Sequence, residues 1–167
     1  MLTIDKLFFV LTFLAALGCG LMAGFYFGFS ALVMKGLANL PHNEGVVAMQ
    51  SINNAVYNLW FMTAFLGAPA VCLIVMIFSL FRWHSPGSIY ELVGSALFLI
   101  GNLLVTILFN IPRNDALAAV TPTDPGAAGL WTGFLSSWTM WNHVRAMASL
   151  VSAALLIIAL IYRAAQR

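Results

Sequence analysis

Apolar residues run along this chain in four long blocks, at 7–34, 56–81, 89–111 and 138–162, separated by shorter polar stretches. About 20 apolar residues in a helix cross roughly 30 Å of hydrocarbon, so each block can span a membrane once. Strict alternation of polar and apolar positions is absent, which argues against a membrane β-barrel. The pattern predicts an all-α, four-helix transmembrane bundle that uses residues 1–167 as a single domain. The halves 1–82 and 83–167 share a plan: a helix out, a polar connection containing proline, and a helix back with polar residues in its outer portion. Two pseudo-repeated helical hairpins fit that plan, although few side chains match between them. Lys6 before the first block is reminiscent of a signal peptide, but the block is too long and no convincing small-residue cleavage site follows it. It is expected to remain as the first span.

Composition sharpens this reading. The chain is 62% hydrophobic and 7% charged, whereas charged residues make up about a quarter of a soluble domain. An integral membrane protein is expected, with the lipid bilayer as its first partner. Lys6, Arg82, Arg163 and Arg167 fall on the side of the two termini, and Lys35 and Arg113 in the connections opposite. The bias of basic residues toward the cytoplasm then places both termini inside. A net charge of +2 is too small to suggest nucleic acid. Cys19 and Cys72 both lie in apolar blocks without a CxxC motif, and read as packing residues rather than a redox pair.

Polar residues inside the blocks carry the functional signal. In the first block Gly20, Gly24 and Gly28 are four apart, a small-residue face for close helix packing. Packing within the bundle is one reading of that face and a homo-oligomer seam the other. Between the first two blocks, Pro41 breaks the chain, and a helical pattern from Val46 is expected to run directly into the second span. Gln50, Asn54, Tyr57, Asn58 and Phe61 share one face of it. The third block carries Glu91, Ser95, Asn102, Thr106 and Asn110 along one stripe and ends at Pro112, followed by Asn114 and Asp115. Residues 121–129, rich in proline and glycine, read as a loop.

The fourth block opens with Trp138, Trp141, Asn142, His143 and Arg145. An arginine at the centre of a membrane helix costs about 2.5–3.5 kcal/mol even on the mildest insertion scales, so it marks a site by default. With Trp138 at the interface, Arg145 lies about 10 Å deeper, level with Asn58 and Asn110 on neighbouring helices. Asn58, Asn110, Asn142 and Arg145 are therefore expected to converge in one cavity near the outer surface. The bland alternative is that the asparagines glue helices together, the tryptophans belong to an interfacial belt and the arginine snorkels. A metal site is not expected, since His42 and His143 are the only outer histidines and no HxxxH or HExxH spacing exists.

The segment Asn110-x-Pro112-x-Asn114-x-x-Leu117, followed by Trp138-x-x-Trp141-Asn142-x-x-Arg145, resembles the anthrone oxygenase-like family of small four-helix membrane proteins. The similarity extends to the glycine-rich first helix and the asparagine-rich start of the second. Some fungal members oxidise an anthrone to an anthraquinone with no recognised cofactor, while most bacterial members have no assigned reaction. The resemblance thus implies an oxygenase-like enzyme acting on a lipophilic aromatic substrate with O₂, in a bacterial inner membrane. Such chemistry needs an apolar slot, a base, and fixed donors for a developing oxyanion. Arg145 with Asn142 suits the donor role, and His143 or Asp115 the base, although His143 lies two steps of about 100° from Arg145 on the helix. Asn54, Asn58, Asn110, Asn114 and Trp141 complete the expected lining. A non-catalytic binder or carrier of a quinone or lipid would use the same pocket, and a purely structural membrane partner would need none.

Overall fold

The computed structural model describes residues 2–166, with side chains described from residue 4 onward. It is built of helices. α1 runs over Leu2–Gly28 and continues through a π-helical stretch, Phe29–Val33, into Met34–Ala38. α2 covers His42–Ala55 and α3 Leu59–Phe81. α4 begins at Ser88–Phe98, passes through π-helical stretches Leu99–Leu104 and Thr106–Asn110, and ends in Ile111–Ala118. α5 is one helix, Ala127–Ala164. α1, α3, α4 and α5 are each long and apolar enough to cross a membrane.

These four form a ring in which α1 packs on α3 and α5, and α4 packs on α3 and α5. The short α2 lies across the distal end, opposite the termini, against α5 and the last turns of α4. The bundle is apolar on its outside and carries polar side chains within its apolar core. Leu21, Phe27, Leu32, Ile100, Leu150 and Ile161 are exposed, as lipid-facing side chains should be, while Ser95, Asn102, Asn142, Arg145 and Ser149 are buried. Cys19 and Cys72 face each other in the apolar core, Sγ to Sγ 3.6 Å.

Three sequence-based expectations change here. The helix predicted from Val46 through the second span is broken at 56–58, because Asn58 caps α3: its Oδ1 accepts from Phe61 N–H at 3.0 Å and its Nδ2 donates to Ala55 O at 2.8 Å. The fourth span does not open at Trp138. The expected loop over 121–129 turns helical at Ala127, so Trp138 lies eleven residues into α5 and is buried against Phe29 and Phe134. Gly20, Gly24 and Gly28 are not a seam within the bundle, since a Cβ at any of them would meet nothing within 4 Å.

Close packing lies instead at Gly18 of α1, where a Cβ would sit 2.8 Å from Ala68 Cβ of α3, and between α4 and α5. A Cβ at Gly101 would sit 2.3 Å from Ala148 Cβ, and Gly87, at φ +83°, lies against the Ala159 carbonyl. The π-helical stretches of α4 have a positional effect. At 3.6 residues per turn, positions four apart drift by about 40° per step, and the wider turns take up that drift. Asn102, Thr106 and Asn110 consequently all stay buried against the bundle interior.

Candidate functional site

Arg145 is the centre of the distal half. Its side chain is buried, with 5% of the residue exposed. Nη1 donates to Thr106 Oγ1 at 3.2 Å, and Nη2 to Asn142 Oδ1 at 2.6 Å. The guanidinium lies over the Tyr26 ring, 4.3 Å from its centroid, and 5.3 Å from the Trp138 ring. No carboxylate pairs with it among the described residues. Two aromatic faces and two neutral acceptors thus hold the cation without cancelling its charge.

The arginine is held by an array recruited from three helices. Asn142 Nδ2 donates to Tyr26 O at 2.7 Å and to Ser30 Oγ at 2.6 Å, which leaves its Oδ1 for Arg145. Tyr26 Oη donates to Asn102 Oδ1 at 2.9 Å, and Asn102 Nδ2 to Ser149 Oγ at 3.4 Å. Thr106 Oγ1 donates to Asn102 O at 2.8 Å and so presents a lone pair to Arg145. π-helical turns, which often mark functional sites, supply Ser30, Asn102 and Thr106.

Beside this array is a cavity of about 210 Å³. Its walls include Phe25, Phe29, Phe61 and Phe65, with Tyr26, Thr106 and Arg145 among its polar lining and Asn53, Tyr57 and Asn114 contributed from the distal elements. Two buried donors in that lining, Arg145 Nε and Asn53 Nδ2, have no hydrogen-bond acceptor in the protein. Such groups carry a desolvation cost of about 1–3 kcal/mol each unless something accepts from them.

The predicted site residues divide accordingly. Arg145 and Asn114 line the cavity, Asn114 Oδ1 also accepting from Trp138 Nε1 at 2.8 Å. Asn142 is fully buried and acts on the site through Arg145. Asn110 does not hold the guanidinium. Its Nδ2 donates to Trp138 O at 3.3 Å, tying α4 to α5, and Thr106 one turn earlier takes the expected role. Trp141 stacks on Phe109 at 3.6 Å and lies outside the lining. Asn58 is spent on its cap, and Asn54 is exposed one residue past Asn53. The two candidate bases lie outside the cavity. His143 is exposed in a shallow apolar groove with Leu97 and Met147, and Asp115 is exposed on the last turns of α4. Tyr26 and Asn53 are site residues that the sequence did not single out, and Thr106 is one that it marked only as part of the stripe on the third span.

The fold and site define a class: helical bundles suited to a membrane that hold a buried cation, with no paired carboxylate among the described residues, in an aromatic cavity. The family model for anthrone oxygenase matches residues 57–155, more than half of the chain. The protein belongs to the anthrone oxygenase family. The match takes in α3, α4 and the Arg145 region of α5, but not Tyr26 or Asn53. Neither the curated proteins nor the solved structures contain a match.

Proposed function

We propose that this protein is a membrane enzyme that oxidises a flat lipophilic aromatic substrate with O₂ in the distal cavity. The observation that carries the reading is Arg145, a buried cation with a free Nε donor and no counter-charge in an aromatic slot. A ring CH₂ conjugated to a carbonyl ionises when the resulting enolate oxygen is stabilised. A preorganised guanidinium does this in a water-poor site at no reorganisation cost. The carbanion adds O₂, the peroxide takes back a proton, and loss of water leaves a ring carbonyl. The net change is CH₂ and O₂ to C=O and H₂O. Phe25, Phe61 and Phe65 supply the faces for the ring system, and Asn53 Nδ2 a second donor for a ring oxygen.

One observation favours a second reading. The cavity lining contains no His, Asp or Glu side chain, so a conventional base is missing and a non-catalytic binder or carrier would look the same. Protein extracted in mild detergent should carry a flat aromatic compound with two acceptor oxygens, detectable by mass spectrometry. Incubation with an anthrone in air should then consume one O₂ per quinone formed. A bound compound returned unchanged, with no O₂ uptake, would support the carrier. Finding no aromatic ligand and no turnover would remove both readings.

The orientation belongs to the same proposal. With both termini cytoplasmic, the cavity faces the other side of an inner membrane. A cysteine added to the C-terminal tail should resist an impermeant thiol reagent in intact cells, and one placed at Thr123 should react. The opposite labelling would invert the topology.

A further inference from the structure

The end of the bundle that holds the termini contains a second polar centre, remote from Arg145. Arg145 and Arg163 are eighteen residues apart on one helix, or about 27 Å at 1.5 Å per residue. Arg163 lies in the last turn of α5, at the end of the bundle that holds the termini. Here Arg82 and Arg163 converge on one buried ring: their guanidinium carbons lie 5.1 Å and 5.3 Å from the centroid of Phe8. Next to them is a recess of about 270 Å³, lined by Asp5, Arg82, Ser85, Pro86, Arg163 and Gln166. Arg82 Nη2 pairs with Asp5, whereas Arg82 Nη1 is buried and has no acceptor in the protein. Arg82, Arg163, Ser85 and Gln166 line one small space, Asp5 is the one carboxylate residue in that lining among the described residues, and Glu91 pairs with Arg163 at 2.9 Å from inside the bundle.

We propose that this recess binds a phosphate group. Tetrahedral oxyanions match the planar fork of arginine, which presents two parallel N–H donors. Arg82 has such a donor to spare, and Ser85 and Gln166 add neutral ones. The level in the bilayer is that of headgroups, because α3 ends and α4 begins there. Exposed Leu7, Phe78 and Phe81 offer apolar surface beside it for acyl chains. Basic pockets between membrane helices are a recurrent form of anionic headgroup recognition. The phosphodiester of an anionic lipid and free inorganic phosphate are the two sources of this chemistry.

Native mass spectrometry of the whole protein, titrated with short-chain phosphatidylglycerol, tests the proposal against diacylglycerol of the same chain length. Phosphatidylglycerol should add with at least tenfold preference. If millimolar inorganic phosphate displaces it, the proposal stands with free phosphate as the source; if it does not, the lipid is the source. Equal adducts with diacylglycerol would overturn it. Arg82→Gln should weaken the phosphatidylglycerol adduct at least tenfold. Because that change also breaks the Asp5 pair, and a loss of folding would mimic a loss of binding, Asp5→Asn is the decisive companion. It frees the arginine and should strengthen the adduct, whereas an unchanged or weaker adduct in Asp5→Asn overturns the proposal.

Discussion

Replacing Arg145 with methionine is expected to weaken ligand binding at least a hundredfold and leave the bundle folded. The binding loss follows from the loss of charge-assisted hydrogen bonds, each worth about 1.5–3 kcal/mol, at about 1.4 kcal/mol per tenfold in affinity. The stability outcome is a balance. Asn142 Oδ1 loses its donor, at about 1–3 kcal/mol. Against that, a buried ion without a counter-charge is removed, and an ion of that kind costs several kcal/mol. Melting of Arg145→Met in detergent should therefore occur at or above the wild-type temperature. Arg145→Lys keeps the charge but cannot bridge Thr106 and Asn142 with a planar fork, so roughly tenfold weaker binding is expected. A snorkelling or purely structural arginine behaves otherwise. If lysine matches wild type while methionine unfolds the protein, the site assignment fails.

Arg145 was legible in the sequence because an arginine seven residues into an apolar block has few bland explanations, and Asn142 because three residues back is one helical turn. The stripe on the third span was legible for the same reason, and Glu91, Ser95, Asn102, Thr106 and Asn110 are all buried. What failed was register. A continuous helix would turn Asn54 inward, but α2 ends at the break over 56–58 and Asn53 lines the cavity instead. Asn58 looked like a polar residue entering the membrane because a capping asparagine and a ligand-binding one have the same identity. Only the neighbouring backbone N–H distinguishes them. Tyr26 was hidden among phenylalanines, where a phenol contributes little to hydropathy, and its partners Asn102 and Asn142 lie 76 and 116 residues away. The outward direction of His143 was readable from its angle to Arg145, and the structure agrees with that angle. No local pattern could join Glu91 to Arg163, which sit 72 residues apart and looked like one stripe residue and one tail charge.

That pair gives the largest stability effect to be expected in this chain. Glu91 is fully buried, and every spanning helix reaches it. Thr12 of α1 donates to Oε1 at 2.9 Å, Ser79 of α3 to Oε2 at 3.2 Å, and Arg163 Nη2 of α5 lies 2.9 Å from the carboxylate carried by α4. Glu91→Ala removes the counter-charge of a buried guanidinium, while the Thr12 and Ser79 hydroxyls keep the Phe8 and Val75 carbonyls as acceptors. Breaking such a pair from one side costs about 3–5 kcal/mol, because the remaining ion is left uncompensated. Glu91→Gln keeps an acceptor for Thr12 and Ser79 and should cost less than alanine. The double variant Glu91→Leu with Arg163→Met removes both ions and should recover most of the loss, as buried pairs often tolerate apolar replacement. Thermal unfolding of these variants in detergent, and of Glu91→Leu and Arg163→Met alone, closes the cycle and measures the coupling directly. A Glu91→Ala loss below about 1 kcal/mol, or a double variant less stable than the sum of its single changes, would show that the four-helix junction does not hold the bundle through charge pairing. Ligand affinity at Arg145 provides the internal control. The two centres lie about 27 Å apart along α5, so Glu91→Gln, if folded, should bind the distal ligand as wild type does while its melting temperature falls.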